Sequence, residues 1–398
     1  MTELTDAEIG GPPWVFDVRR WTELTDGRLV VAATRDAVDS LHVLDQVPGS
    51  PLAPIDLPSV STVAGLTTAG PDQVALVMAG SSSLATVARV STSGAVTEVR
   101  PGDDTGVDPG WFSTAQPLRY RSGDRQAAAF FYPPTGLGVV GPENSGPDNS
   151  GPDNSLPPLI VMGHGGPTAH AGSSLNLKVQ YWTSRGFAVV DVNYGGSSGF
   201  GRAYRDLLQG TWGIVDVEDC VNAATHLAEI GLVDGQRLAI RGGSAGGFTV
   251  LAALISSDAF AAGTSLYGVA DLTALAADTH KFESRYLDGL VGPYPEQREL
   301  YEQRSPINHT DRFSSPLLVL QGLEDEIVPP SQSEAIVAAL AAKGVPHAYV
   351  PFEGEQHGFR KAENIIRSLE VELWFYGRIL GFDPADQIEP AAGAVGLG

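Results

Sequence analysis

A serine, an acid and a histidine fall at spacings suited to nucleophilic catalysis. The serine is Ser244, in the run Gly242-Gly243-Ser244-Ala245-Gly246-Gly247. A short β-capable stretch, Leu238 to Ile240, precedes it, and an apolar helical run starts at Phe248. G-x-S-x-G between strand and helix is the context of a nucleophile elbow. Glycine is needed there because the serine sits on a sharp, strained turn where strand and helix backbones approach closely. The helix start also brings N–H groups and a positive dipole end to any oxyanion formed beside Ser244. Taken alone, the motif is equally an ordinary glycine-rich turn, so the partners decide.

A serine hydroxyl is a weak nucleophile until a base takes its proton, and that base needs an anion to fix its tautomer. The apolar run Leu317 to Leu320 leads into Glu324-Asp325-Glu326, and Ala348 to Val350 leads into Gln356-His357-Gly358. Asp325 is preferred to its two neighbours from its motif position, and His357 is the base. The order Ser, Asp, His is that of the α/β-hydrolases and differs from the orders of chymotrypsin and subtilisin. An oxyanion hole would combine the N–H of Ala245 with a donor from an earlier loop. Gly163-His164-Gly165-Gly166-Pro167, after Leu159 to Met162, fits that place. His164 reads more readily as support for this loop than as a second base.

The elements that must position these residues alternate. Strand-like runs occur at Ala127 to Tyr132, Leu159 to Met162, Phe187 to Val192, Leu238 to Ile240, Ala261 to Leu266, Leu317 to Leu320 and Ala348 to Val350. Between and after them come helical stretches at Leu175 to Arg185, Trp212 to Ile230 with Gly231 as stop, Ala245 to Ser256, a helix capped by Ser331 and stopped by Gly344, and Ala362 to Tyr376. This alternation predicts an α/β fold with a mostly parallel sheet, and each candidate falls beyond a strand's carboxyl end. Residues 1–115 read as β. Leu29 and Val74 begin similar strand pairs 45 residues apart, the spacing of propeller blades. Two such units are too few to close a propeller, so a sheet edge is expected to lie exposed and to invite self-association. A small irregular β-domain fits the same pattern. A catalytic region over 116–382 would carry a Gly/Pro/Asn/Ser insertion at 133–158, where a Gly-Pro-(Glu/Asp)-Asn-Ser unit repeats from Gly141 to Ser155. The tail, 383–398, is rich in Ala, Gly and Pro and is expected to be disordered.

Composition narrows the class. The chain has 398 residues, 42% hydrophobic and 18% charged, which supports a large core. With 25 Lys and Arg against 47 Asp and Glu, the net charge of −22 disfavours nucleic acid and anionic membranes as partners. A single cysteine, Cys220, excludes an internal disulfide and any cysteine-based metal site, and reads as a buried structural thiol. No run of 18 apolar residues and no basic-plus-apolar leader is visible, so the expected location is cytoplasmic. No cofactor or metal is implied.

Five motifs in order, His164-Gly165-Gly166-Pro167, Asn193 to Gly201, Gly242 to Gly247, Gly322 to Pro329 and Gln356 to Phe359, resemble the prolyl oligopeptidase family. The branch is that of acylaminoacyl peptidases and dipeptidyl aminopeptidases, and the likeness runs from about residue 112 to 382. The resemblance implies an α/β-hydrolase fold, Ser244, Asp325 and His357 as a triad, and an oxyanion hole of Ala245 with the His-Gly-Gly loop, Gly166 ahead of Gly165. It also implies an apolar primary pocket with Tyr267, Val269 and Leu272 as walls. The run Thr279 to Tyr286 borders the cleft or lies exposed, and neither His280 nor Arg285 is assigned to the site. Family members carry a propeller of roughly seven blades; here about two blade-like units precede the hydrolase part. That departure leaves the choice between trimming ends and cutting internally open. The implied activity is cleavage of peptide or acyl-peptide bonds through an acyl-enzyme. A carboxylesterase on the same scaffold, or an inactive propeller-truncated remnant serving as an interaction protein, are the rival readings.

Overall fold

Strand pairing sorts the described residues into three sheets. The computed structural model describes residues 7–11, 15, 18–47, 49–57, 60–135, 156–278, 281 and 283–397. The pentapeptide repeat lies outside the described residues, as do Thr279, His280 and Phe282.

The first two sheets are four-stranded antiparallel blades. One contains β1 (Trp21–Glu23), β2 (Leu29–Arg35), β3 (Val38–Leu44) and β4 (Ala53–Ile55) in sequential order. The other contains β5 (Thr62–Thr68), β6 (Gln73–Gly80), β7 (Ser83–Ser91) and β8 (Val96–Arg100). Alternation along the strands buries one shared core between the blades, with Val30, Leu41, Ile55, Val63, Leu76 and Val90 at its centre. All five residues of the edge strand β8 are exposed.

The third sheet has eight strands. β9 (Gln116–Ser122) and β10 (Arg125–Tyr132) form an antiparallel pair at one edge. Beside them run β11 (Leu159–Gly163), β12 (Ala188–Asn193), β13 (Leu238–Gly243), β14 (Ala262–Leu266), β15 (Leu317–Gly322) and β16 (His347–Phe352). The order is β16-β15-β14-β13-β11-β12-β10-β9, antiparallel only at the β9–β10 and β10–β12 pairings. Every residue of β11 and β15 is buried, as expected of parallel strands covered on both faces. α1 (Leu177–Thr183) contributes Val179 and Trp182 to one face. α2 (Arg202–Arg205) is a single turn, and α3 (Val215–Glu229) and α4 (Ala245–Ser256) pack on the other face. α5 (Leu272–Asp278), α6 (Tyr286–Leu290) and α7 (Arg298–Arg304) lie between β14 and β15 in the chain; α8 (Pro330–Lys343) and α9 (Ala362–Leu380) complete the covering. This is an α/β-hydrolase fold preceded by a partial propeller. Cys220 on α3 is fully buried against the sheet, and burial pushes its thiol well above the usual range.

Two local expectations are corrected. α8 starts two residues earlier than a Ser331 cap allows, because Pro330 occupies its first position with Pro329 as the cap; proline's fixed φ suits a first helical residue that needs no N–H. The tail is packed rather than disordered. Val395 pairs with His347 at the β16 edge, and Ala391 and Leu397 are buried in the α9-side core. Arg367 and Arg378 hold carbonyls of Glu389, Pro390 and Leu397, so sparse apolar side chains and backbone acceptors suffice to dock it.

The blades touch the hydrolase half through backbone bonds from Ala37 to Gly199 and from Leu175 to Gly80, and through the carboxylate of Glu8, which accepts from Gly201 N–H and Arg205. Among the described residues, no helix is long and apolar enough to cross a membrane.

Candidate active site

The chain passes from β11 to β12 on one side and then to β13 on the other. A crevice forms at such a reversal, outside the strands' carboxyl ends. Ser244 sits in it, between β13 and α4, with φ 57° and ψ −121°. For a residue with a Cβ that conformation costs about 1–3 kcal/mol and persists only where the surroundings over-determine it. They do so here by close backbone contact. A Cβ on Gly242 would overlap the Gly246 backbone, one on Gly246 would overlap the Gly163 carbonyl, and one on Gly247 would collide with Gly268. The Ser244 N–H donates to Leu266 O at 3.0 Å, and its carbonyl accepts from Phe248 N–H at 3.1 Å. The hydroxyl is therefore presented by backbone packing.

Loops after β15 and β16 bring the acid and the histidine to this serine. His357 Nε2 lies 2.8 Å from Ser244 Oγ, and His357 Nδ1 lies 2.8 Å from Asp325 Oδ2. The Asp325 side chain is fully buried, while that of His357 is 23% exposed. The other carboxylate oxygen of Asp325 accepts the N–H groups of Ile327 and Val328, each at 2.9 Å. A carboxylate only accepts, so it selects the tautomer with the proton on Nδ1 and leaves Nε2 free to take one from Ser244. Glu324 and Glu326 flank it as exposed side chains.

The two loops are tied together. Leu323 N–H donates to Phe352 O and Glu324 N–H to Glu355 O. Glu355, two residues before His357, is 2% exposed and accepts from Arg360 N–H, Lys361 N–H and Asn364 Nδ2, each at 2.9 Å. Burial pushes its carboxyl up, but those hydrogen bonds outweigh burial and hold it below the usual value. Gln321 on β15 spans Gly322 O and Val328 O and is held by the hydroxyl of Ser333. Neither residue was singled out from the sequence, because their partners are set by loop folding and not by spacing.

The loop after β11 closes the other side of the serine. Gly165 abuts the nucleophile: a Cβ there would lie 3.6 Å from Ser244 Cβ and 3.2 Å from Gly243 O. Tyr194 OH donates to His164 O at 2.9 Å, and the Gly165 carbonyl lies 2.9 Å from His164 Nδ1. In a planar trans peptide the N–H points opposite to the C=O. Directing these two carbonyls onto Tyr194 and the His164 ring therefore turns the Gly165 and Gly166 N–H groups away from those partners. The His164 ring stacks on Tyr194 at 4.2 Å and contacts Ser197 Oγ at 2.7 Å; burial lowers its pKa to about 4. It is a neutral support for the loop, engaged by Gly165 O, Tyr194 and Ser197. Ala245 opens α4 directly after Ser244.

Of the three pocket candidates, Tyr267 alone stands beside the triad. Its backbone is left-handed, with φ 40°, and its ring meets His357 edge-on at 5.0 Å and Phe359 at 5.4 Å. Val269 and Leu272 are 3% and 0% exposed and belong to the α4-side core. They pack beneath the site and form no open wall, because the segment after β14 turns inward under α4. Among the described residues, no group of three or more His, Cys, Asp or Glu side chains is arranged to hold a metal ion.

Residues 173–383 match the model of the prolyl oligopeptidase family. The chain belongs to that family. A puromycin-hydrolysing peptidase of Mycobacterium tuberculosis has a solved structure 43% identical to this prolyl oligopeptidase family chain, with a TM-score of 0.90, over 99% of this chain and 59% of that one. Dipeptidyl aminopeptidase BIII of Pseudoxanthomonas mexicana is 32% identical over 230 residues, 56% of this chain and 33% of that protein. The acylamino-acid-releasing enzyme of Arabidopsis thaliana is 30% identical over 55% of this chain and 30% of its own length. The chain thus spans well under two thirds of the length of these relatives.

Proposed function

We propose that the chain is a serine peptidase that cleaves peptide, acyl-peptide or aminoacyl-amide bonds through an acyl-enzyme. The observation that carries the reading is the unbroken line from Ser244 Oγ through His357 to a buried Asp325, with both contacts at 2.8 Å. In this mechanism Ser244 Oγ attacks the substrate carbonyl while His357 Nε2 takes its proton. Asp325 holds the imidazole in orientation and stabilises its charged form. The oxyanion is met by the Ala245 N–H at the start of α4 and by Gly165 or Gly166 across the crevice. Collapse breaks the C–N bond, and His357 returns the proton to the leaving amine. Water, deprotonated by His357, then attacks the ester carbonyl and restores Ser244.

Similarity to a puromycin-hydrolysing peptidase supports small aminoacyl amides as substrates, since puromycin is itself an aminoacyl amide. The dipeptidyl and acylamino-acid-releasing relatives support short peptides with free or blocked ends. Neither an esterase nor an inactive remnant is favoured. We further read the acidic chain as a cytoplasmic enzyme that self-associates through the exposed β8 edge, which light scattering tests. The main test is a panel of aminoacyl, dipeptidyl and N-blocked anilides with short-chain esters, run on wild type and Ser244→Ala. Turnover of anilides by wild type, lost in the folded variant, is the expected result. Turnover confined to esters would contradict the peptidase reading.

A further inference from the structure

We infer that Tyr286 is a positioning residue for the loop that carries the second oxyanion donor; the inference rests on the hydrolase reading above. Tyr286 opens α6, 120 residues along the chain from that loop, yet its hydroxyl donates to Gly166 O at 2.8 Å. The same oxygen lies 2.7 Å from Thr168 Oγ1. A phenol has one proton, so with Gly166 O as its acceptor the Thr168 hydroxyl is the donor to Tyr286.

The loop needs such a hold at that point. Gly165 and Gly166 are the residue type with the widest backbone freedom, and Gly166 sits at φ 114°. The peptide after Gly166 leads into Pro167, which has no N–H, so the Gly166 carbonyl is the only hydrogen-bonding group that this peptide unit has. At the near end of the loop, the fully buried Tyr194 fixes His164 O. Two tyrosine hydroxyls from distant parts of the chain thus hold the carbonyls on either side of Gly165, the residue that abuts Ser244. With both ends pinned, the glycine N–H groups stay aimed before substrate arrives. A donor that waits in place helps most when charge is greatest, in the transition state, so its loss appears in kcat and not in KM.

The test is Tyr286→Phe in the full chain, which keeps the ring and removes the hydroxyl. Kinetics and amide hydrogen exchange of the segment 163–168 are measured together. We expect exchange there to rise several-fold and kcat to fall roughly tenfold or more, with KM within about twofold, since loosened positioning penalises the chemical step. Thr168→Val should shift both readouts in the same direction by less, and Thr168→Ser should restore them. Unchanged exchange, or faster exchange with unchanged kcat, overturns the assignment; so does a raised KM with kcat intact, which would make Tyr286 a substrate contact. If wild type turns over no member of the panel, the hydrolase reading fails, and exchange alone then upholds or overturns the clamp.

Discussion

The blades and the eight-stranded sheet both contain non-glycine residues with a left-handed backbone, and they hold them differently. In the blades these are Asp36 and Ala37, at φ 52° and 57°, in the two-residue turn between β2 and β3. A turn of that type favours Asn-Gly, so Asp-Ala carries a penalty there. It is offset by docking, since Ala37 is 2% exposed and its N–H reaches Gly199 O at 3.2 Å. In the sheet they are Ser244 and Tyr267, at φ 57° and 40°, each at a strand's carboxyl end. Here the strain is boxed in by glycine backbones, by helices on both faces and by hydrogen bonds from neighbouring strands. The blade pair has a single small core and an open edge. The candidate triad sits where the backbone is held from every side, whereas the strained blade turn is held by docking against the hydrolase half.

The sharpest way to break this contrast is at the acid. Asp325→Asn keeps the shape but loses the acceptor that selects the His357 tautomer. We expect kcat to fall by about 10⁴-fold, the size of the corresponding loss in a serine-protease triad. A drop under tenfold would mean that His357 is oriented by something else.

Next is the blade core. Leu41→Ala, at a fully buried position, should lower stability by about 2–5 kcal/mol in denaturant unfolding. If positioning resides in the eight-stranded sheet, kcat of the folded variant stays within about twofold of wild type on small anilides. A large loss of kcat at full folding would show that the blades help to set the site.

The smallest effect belongs to Glu355. Its folded pKa is held below the 4.5 of an ordinary glutamate, so its contribution is fully present above that value and is lost as pH falls through the lower, folded one. Glu355→Gln should therefore lower Tm at pH 6, equivalent to about 1–2 kcal/mol, and the gap to wild type should narrow on acidification below pH 4.5. A gap that widens instead would reverse the sign assigned to this group.

The parallel strands could be read from the sequence because, buried on both faces, they are continuous apolar runs. Ser244, Asp325 and His357 could be read for a related reason, since each closely follows such a run and the order is distinctive. Edge strands were less visible: β4 is three residues long, and β8 has no buried residue to mark an inner face. Burial of Val269 and Leu272 depends on how the segment after β14 turns, which their apolar character does not reveal. Tyr194, Tyr286 and Glu355 act through hydrogen bonds closed only by folding, with no local periodicity to announce them. The tail looked like a disordered end by composition, although four scattered apolar residues, Ile388, Ala391, Ala394 and Leu397, are enough to seat it.

The central claim is that Ser244 is an activated nucleophile. The measurement that tests it most directly is the rate of fluorophosphonate labelling, with the labelled residue located by peptide mapping, in wild type, Ser244→Ala and His357→Ala. The account predicts a single adduct on Ser244 in wild type, none in Ser244→Ala, and labelling slowed by orders of magnitude in His357→Ala. Equal labelling of wild type and Ser244→Ala, or an adduct mapped to another residue, would contradict it.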